Sequence, residues 1–340
     1  MIRGLGAYLP AQVVTNQDIS EMMDTSDEWV RSRTGIGSRH RAAPEETTAS
    51  LGARAAQRAI ADAGLEPDDI DLIVFGTMFP DYSYPGPGTW VQQLLGMRRT
   101  VPVLDLRQQC SGFVYSLSLA DLYIASGQAR HVLSVFSEKE FDHFKVDRQV
   151  GVIFGDGAGA AVIGPAEGGR GTLSTDLQAD GAGVPDLVMT SDNIVGVGSL
   201  ENHWPPELAK CREYWAERGF LPGHTKYPFW IGQEVFKNAV KRLMRSAREV
   251  LKTNELTAAD VELFFFHQAN ARINGKLAEL LKLPPEKVPS NIERVGNTGA
   301  ASIPILMCEE RDAGRLAPGQ TCLLAAFGAG YLWGSALIRF

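Results

Sequence analysis

No run of eighteen apolar residues occurs in the 340-residue chain, so no segment is long enough to cross a bilayer as a helix. The first residues carry no basic-then-apolar stretch of the signal-peptide kind, and the expectation is a cytoplasmic protein. Cysteine is scarce. Cys110, Cys211, Cys308 and Cys322 form no C-x-x-C pair and no metal-ligand spacing, which gives no reason to expect a metal and favours a reducing compartment. A basic excess is missing too: 33 Lys and Arg against 40 Asp and Glu leave a net charge of −7. That balance argues against a general nucleic-acid binder while permitting local basic patches. What is present is ordinary for a globular protein, 44% hydrophobic and 21% charged. The length exceeds a usual single core, so two domains or one duplicated domain is the starting expectation.

The chain repeats itself. Asp69-Ile-Asp-Leu-Ile-Val-Phe75 recurs as Asp260-Val-Glu-Leu-Phe-Phe-Phe266, at an offset of 191, each copy after a helical stretch (Ala53 to Ala63, Glu234 to Lys252). Gly127-Gln128 followed by the apolar run Val132 to Phe136 pairs likewise with Gly319-Gln320 followed by Cys322 to Phe327. Landmarks that keep nearly one offset predict two similar α/β halves, 1–170 and 171–340, each alternating helices with apolar strands. Leu72–Phe75 and Leu263–Phe266 do not alternate, so these strands are expected to be buried on both faces.

Cys110 lies between an apolar run, Val101 to Leu106, and a stretch with Phe113, Leu117, Ala120 and Ile124 at helical spacing, which Gly127 stops. A lone cysteine is ordinarily a small buried hydrophobe. At a strand-to-helix corner, however, unpaired N–H groups and the helix dipole favour a thiolate, which predicts a thiol reactive near neutral pH. The duplication places two further residues. His267 follows the strand Leu263–Phe266, at the sheet edge where ligands gather in α/β folds. Asn297 precedes a helical run much as Cys110 does in the first half. Singly, each reads as a structural His and a helix cap. Related by a pseudo-twofold, Cys110, His267 and Asn297 converge on one central cavity.

Two patterns are read more cautiously. Gly155-Asp-Gly-Ala-Gly-Ala160 imitates a dinucleotide fingerprint, yet Ala161-Val-Ile-Gly continues as strand or turn where a helix is needed. It is expected to be a tight hairpin with close backbone approach, and no nicotinamide site. Lys237, Lys241, Arg245, Arg248 and Lys252 recur every three or four residues after Gly232, making one basic helix face. The ordinary reading of such a face is simple solvation.

The residues resemble a known family. Thr25-Ser-Asp-Glu-Trp29, Arg33-Thr-Gly-Ile36, Cys110-Ser-Gly-Phe113, Phe154-Gly-Asp-Gly-Ala-Gly159, His267-Gln-Ala-Asn270, Gly296-Asn-Thr298 and Trp333-Gly-Ser-Ala-Leu-Ile-Arg-Phe340 stand in an order similar to that of the thiolase-fold condensing enzymes. Among these the chain most resembles the β-ketoacyl-acyl-carrier-protein synthase III group, over nearly its whole length. The resemblance implies a thiolase-like duplicated αβαβα layered fold and a homodimer. It implies an acyltransferase in which Cys110 accepts the acyl group and His267 and Asn297 complete the site. By the same resemblance Trp29, Arg33 and Arg148 match positions that hold the nucleotide of coenzyme A, Asn270 lies beside the pantetheine channel, and Arg272 falls on the carrier-protein face. Acyl carrier proteins being acidic, the stripe containing Lys237, Lys241 and Arg245 then makes sense as their docking patch. The implied substrates are an acyl-coenzyme A and a malonyl thioester, carried either by acyl carrier protein or by coenzyme A. No metal or redox cofactor is implied.

Three departures set the chain apart from the family's usual pattern. Arg107-Gln108-Gln109 replaces small residues before the nucleophile, and Ala329 stands in the usual glycine run. The segment 182–231 is about twenty residues longer than the usual link and carries Trp204, Tyr214, Trp215, Phe220, Tyr227, Phe229 and Trp230. It reads either as a lid or acyl-tunnel wall, or as the packing of an extra helix, Pro206 to Arg218. A specialised relative using a longer or functionalised acyl donor, or transferring acyl groups without forming a carbon–carbon bond, is therefore the alternative within the family. A papain-like Cys-His-Asn hydrolase is disfavoured, because its sequence around the cysteine is absent and the duplication has no place in it. A catalytically silent scaffold is least favoured, since every expected catalytic residue type is present.

Overall fold

The computed structural model describes residues 1–144, 147–191, 205–219 and 226–340. Two sheets carry the repeat. The first contains β1 (Ile2–Tyr8), β4 (Leu72–Gly76), β5 (Val103–Leu106), β6 (Val132–Glu138) and β7 (Gly157–Ile163), in the order β1-β7-β6-β4-β5. The second contains β8 (Gly171–Ala179), β11 (Leu263–Phe266), β12 (Thr321–Gly328) and β13 (Leu332–Arg339), in the order β11-β12-β13-β8. The remaining strands form two short ribbons, β2 (Gln12–Thr15) with β3 (Ser38–Arg41), and β9 (Leu187–Met189) with β10 (Pro228–Trp230).

The topology of the first sheet returns in the second. β4 runs parallel to β6 with Leu72 opposite Val132, and β11 runs parallel to β12 with Leu263 opposite Cys322. β7 and β13 then return antiparallel, and β1 and β8 close the series on the far side. Only β5 lacks a counterpart among the described residues. The equivalent stretch before Asn297 contains Pro284, Pro285 and Pro289, which supply no backbone donor to a ladder.

Helices of eight residues or more are α1 (Asp27–Thr34), α2 (Thr48–Asp62), α3 (Pro87–Leu94), α4 (Gly112–Ala125), α5 (Ala209–Arg218), α6 (Gly232–Thr253), α7 (Ala271–Leu281) and α8 (Ser302–Asp312). α4 and α8 form the middle layer, and Phe113, Leu117, Ile303 and Leu306 pack with Leu72 and Val74 of one sheet and Leu263 and Phe265 of the other. The intervening strand residues face outward: Ile73 and Phe75 meet α2, while Phe264 and Phe266 meet α6. Strand side chains alternate, so a strand covered on both faces must be apolar throughout. The unbroken runs read from the sequence are this covering. α2 approaches β1 so closely that a Cβ on Gly4 or Gly6 would fall 2.4 Å from Ala59 O or 2.1 Å from Ala55 O.

One local expectation is corrected. Gly157–Ile163 is not a tight hairpin but a central strand, β7, bonded to β1 and β6. Close approach does account for its glycines: a Cβ on Gly159 would lie 2.7 Å from Pro304. A strand follows the motif, so it lacks the helix that a dinucleotide site requires.

The long segment divides between the two roles considered for it. Trp215 and Tyr227 form a small core with Leu208, Cys211 and Phe229, and Trp215 Nε1 donates to Pro228 O at 2.8 Å. Tyr214 hydrogen-bonds the Asp147 carboxylate. These three aromatics pack the extra helix. Phe229 also lines the central cavity, together with Trp230. Trp204 and Phe220 lie outside the described residues.

Candidate active site

A cavity of about 910 Å³ opens between the two halves, with Cys110, His267 and Asn297 all in its lining. Each reaches it from the end of its own element. Cys110 sits in a single 3₁₀ turn, Gln109–Ser111, that joins β5 to α4. Gln109, just before it, has φ +44°, a left-handed conformation that strains a residue bearing a side chain. Gly328, from the end of β12, backs the nucleophile so tightly that a Cβ there would lie 3.1 Å from Cys110 N and 3.2 Å from Cys110 Cβ. Backbone of the Phe327–Gly330 loop is thereby held against the thiol's own residue.

His267 follows β11 and is buried, its N–H donating to Ala325 O at 2.9 Å. Its Nδ1 lies 2.7 Å from Ser302 Oγ, and its Nε2 has no partner among the described residues. Burial pushes the imidazole down to about 3, so the ring is neutral throughout the physiological range. Asn297 is anchored by backbone on both sides, its N–H donating to Ile153 O (3.0 Å) and its carbonyl accepting from Gly155 N (2.9 Å). Gly299 N–H donates to Asn297 Oδ1 at 2.9 Å. The acceptor end of the amide is thus occupied and Nδ2 is left to donate. The site presents two neutral nitrogen groups and a thiol.

The thiol differs from the sequence expectation. Burial pushes Cys110 well above the usual thiol range, and the Glu140 and Glu138 carboxyls add to the rise while its own backbone N–H opposes them. Helix-end stabilisation is outweighed because the corner is enclosed on most sides. Cys211 and Cys308 are pushed up to about 12, again by burial, and Cys322 is raised in the same way. Access separates the four: Cys110 is the half-buried, cavity-lining one, and the others are buried.

Glu138 and Glu140 were not singled out by sequence reasoning. Glu138 ends the buried strand β6, accepts from Thr77 Oγ1 and Met78 N at 3.0 Å, and is pushed up to about 8, chiefly by burial. Among the described residues neither oxygen of the buried Glu140 has a partner, and its carboxyl is raised by burial and by Glu138. Burial thus favours the neutral form of both carboxyls. A charged residue at the end of an otherwise uncharged strand was the available signal. Ser302, which begins the helical run after Asn297, is the other residue that sequence reasoning passed over.

The outer residues fall in two places. The Arg33 and Arg148 guanidinium carbons lie 4.7 and 5.0 Å from the Trp29 ring centroid, and none of the three lines the cavity. Asn270 does line it, and its Nδ2 donates to Arg33 O at 3.0 Å, tying that cluster to the cavity's edge. Arg272 is exposed in the first turn of α7. Lys237, Lys241, Arg245, Arg248 and Lys252 are all exposed on α6, opposite its buried Val235, Ala239, Leu243, Ala247 and Val250. Gln109 lines the cavity, and among the described residues its buried Oε1 and that of Gln108 have no partner.

Comparison with known proteins agrees with this arrangement. The profile described as 3-oxoacyl-[acyl-carrier-protein] synthase III matches residues 104–181, and that described as its C-terminal part matches 251–340. Beta-ketoacyl-[acyl-carrier-protein] synthase III of Xanthomonas campestris pv. campestris is 42% identical over 342 residues, covering 100% of this chain and 98% of the relative. The chain belongs to the β-ketoacyl-acyl-carrier-protein synthase III family. The protein of that name from Rhodospirillum rubrum is 41% identical over 346 residues, again covering 100% and 98%. The crystal structure of 3-oxoacyl-[acyl-carrier-protein] synthase III from Aquifex aeolicus superposes with a TM-score of 0.86 at 37% identity, covering 100% and 99% of the two chains. The fold is the thiolase fold, and the family is one of condensing enzymes. Among the described residues no helix is long and apolar enough to cross a membrane.

Proposed function

We propose that the chain condenses the acyl group of an acyl-coenzyme A with a malonyl thioester through an acyl-Cys110 intermediate. The observation that carries this reading is the meeting of Cys110 with two neutral nitrogen donors, His267 and Asn297, in one cavity. In the first step the Cys110 sulfur attacks the thioester carbonyl, the carbon–sulfur bond to coenzyme A breaks, and the thiol proton ends on the departing coenzyme A sulfur. The N–H groups of Cys110 and of the Phe327–Gly330 loop are the candidates to hold the oxyanion. In the second step the malonyl carboxylate leaves as carbon dioxide and its electron pair becomes an enolate, whose oxygen accepts hydrogen bonds from His267 and Asn297. The enolate carbon then bonds to the acyl carbonyl, Cys110 sulfur departs, and the thiolate regains a proton from solvent. Atoms and charge balance without a metal or redox cofactor.

The Trp29 ring with Arg33 and Arg148 suits the nucleotide end of coenzyme A, offering an aromatic face for a base and guanidinium groups for phosphate. Four thiols and the need for coenzyme A thioesters fit a cytoplasmic setting. The carrier-protein patch has a direct test. Lys241→Glu with Arg245→Glu is expected to raise KM for malonyl carrier protein and flatten its salt dependence, leaving acyl transfer from coenzyme A unchanged. Unchanged carrier kinetics at low salt would remove the patch.

The same reading includes a homodimer. β5 is an open edge of the first sheet, and the large apolar side chains Trp90, Leu94 and Leu122 are exposed on α3 and α4. Light scattering is expected to give twice the chain's mass, and Trp90→Asp with Leu94→Asp to lower it.

Donor choice is proposed to lie away from plain acetyl. Phe229, Trp230, Leu187 and Val188 extend the apolar wall, and each buried methylene contributes roughly 0.8 kcal/mol, about fourfold in affinity. The unpaired Gln109 amide oxygen equally suits a hydroxyl on the donor, because leaving a buried amide unmatched costs about 1–3 kcal/mol. Across acetyl, butyryl, hexanoyl, octanoyl and 3-hydroxyacyl donors, kcat/KM is expected to peak at a longer or oxygenated one. Acetyl best by about tenfold would make the long segment purely structural.

A further inference from the structure

The hydroxyl of Ser302 sits behind the imidazole that faces the cavity. Ser302 opens α8, is 2% exposed, and among the described residues its Oγ has two hydrogen-bond partners. One is the backbone N–H of Gln268 at 3.2 Å, which can only donate. The other is His267 Nδ1 at 2.7 Å, which either donates or accepts according to the tautomer. A hydroxyl has a single hydrogen to give. Given to Nδ1, it satisfies both atoms and puts the ring's own hydrogen on Nε2, which has no partner among the described residues and belongs to a side chain that lines the cavity. If instead Nδ1 carried the hydrogen, two N–H groups would donate to one oxygen. Its O–H would then have no acceptor in a buried place, a disfavoured arrangement by roughly tenfold or more.

We infer that Ser302 is a positioning residue that holds His267 in the Nε2–H tautomer, so that the histidine donates to the substrate oxygen and cannot act as a base there. The support beneath it is rigid. Gln268, whose N–H faces Ser302, has its own amide tied at both ends, Nε2 donating to Phe266 O at 2.7 Å and Oε1 accepting from Ser290 Oγ at 2.7 Å. The consequence is chemical selectivity. Nε2–H supports the enolate oxygen, whereas an Nε2 lone pair beside the acylated Cys110 would draw a proton from water and hydrolyse the acyl-enzyme. Fixing the tautomer thus favours condensation over loss of the acyl group. A backbone carbonyl or carboxylate that accepts from the ring often fixes a histidine's tautomer; here a single hydroxyl does so by donating, while also accepting from the next residue's amide.

The inference rests on the condensation proposed above, but its primary test does not need substrate. Histidine-selective 15N labelling of the wild-type protein, with His267→Gln for assignment, is expected to show His267 protonated at Nε2 and unprotonated at Nδ1 at neutral pH. Protonation at Nδ1 would overturn it. Ser302→Ala is expected to give a mixed tautomer signal, to slow condensation about 10- to 100-fold, and to raise acyl-enzyme hydrolysis relative to condensation, while Cys110 acylation stays within about threefold. Ser302→Thr, which keeps the hydroxyl, is expected to restore both the signal and the partition. A pure Nε2–H signal and an unchanged partition in Ser302→Ala would refute the assignment. If no acyl-coenzyme A acylates Cys110, the condensation reading fails, and the resonance of the free protein still decides the tautomer.

Discussion

Cys110→Ala is expected to abolish acyl-enzyme formation and to lower condensation by on the order of 10⁴-fold or more, because the other half-reaction has no covalent partner to attack. Decarboxylation of the malonyl thioester is expected to persist, since His267 and Asn297 remain in the cavity. Intact-protein mass after incubation with acyl-coenzyme A checks the first outcome, and release of carbon dioxide checks the second. Acyl transfer to Cys211, Cys308 or Cys322 would contradict the assignment. The pH dependence has a defined sign. Burial raises the Cys110 thiol above its ordinary range, so the thiolate is a minor form at neutral pH and its fraction grows as pH rises. Alkylation by iodoacetamide is therefore expected to quicken from pH 6 to 8 without levelling. Ionisation of the Glu138 carboxyl, pushed up to about 8, raises the thiol further and flattens the curve above that pH. A plateau near pH 7 would instead mean that the helix end dominates the environment.

His267→Ala and Asn297→Ala are each expected to slow condensation by about 100- to 1000-fold, roughly 2.7–4 kcal/mol, the usual loss for one oxyanion donor. Acylation of Cys110 is expected to survive both changes. Single-turnover measurement with preformed acyl-enzyme and malonyl thioester separates the two steps. The double variant is expected to lose much less than the product of the single effects, because both groups serve one oxygen. The neutral imidazole supplies a further check. A histidine held down to about 3 stays uncharged across the working range, so condensation is expected to show no inflection between pH 5 and 7 that disappears in His267→Ala. Such an inflection would place a protonated histidine in the reaction. Loss of acylation in either variant would assign the residue to the first step.

Much of this arrangement was legible in the chain because it obeys local rules. Non-alternating runs such as Leu263–Phe266 announced strands covered on both faces, and the offset of 191 between repeats announced the second sheet. The glycine motif at Gly155 was legible only in part. Its lack of a following helix was visible, but a turn and a strand that lets α8 approach use the same small residues. Arg33, Arg148 and Trp29 were recognisable by resemblance, while their separation from the cavity wall was not, since spacing gives no depth.

The sequence by itself determined the repeat of two α/β halves, the strand-to-helix corner of Cys110, and the placement of His267 and Asn297 at the ends of matching elements. All of these follow from apolar periodicity and turn residues, which act over a few neighbours. Tertiary structure alone decided the state of each group. Whether Cys110 is acidic depends on burial against Glu138 and Glu140, residues of a different strand and its following loop. Whether His267 gives or takes a proton depends on a hydroxyl 35 positions away. Desolvation and hydrogen-bond direction are set by what packs around a group, and in this chain those neighbours come from other elements of the same half, brought alongside only by folding.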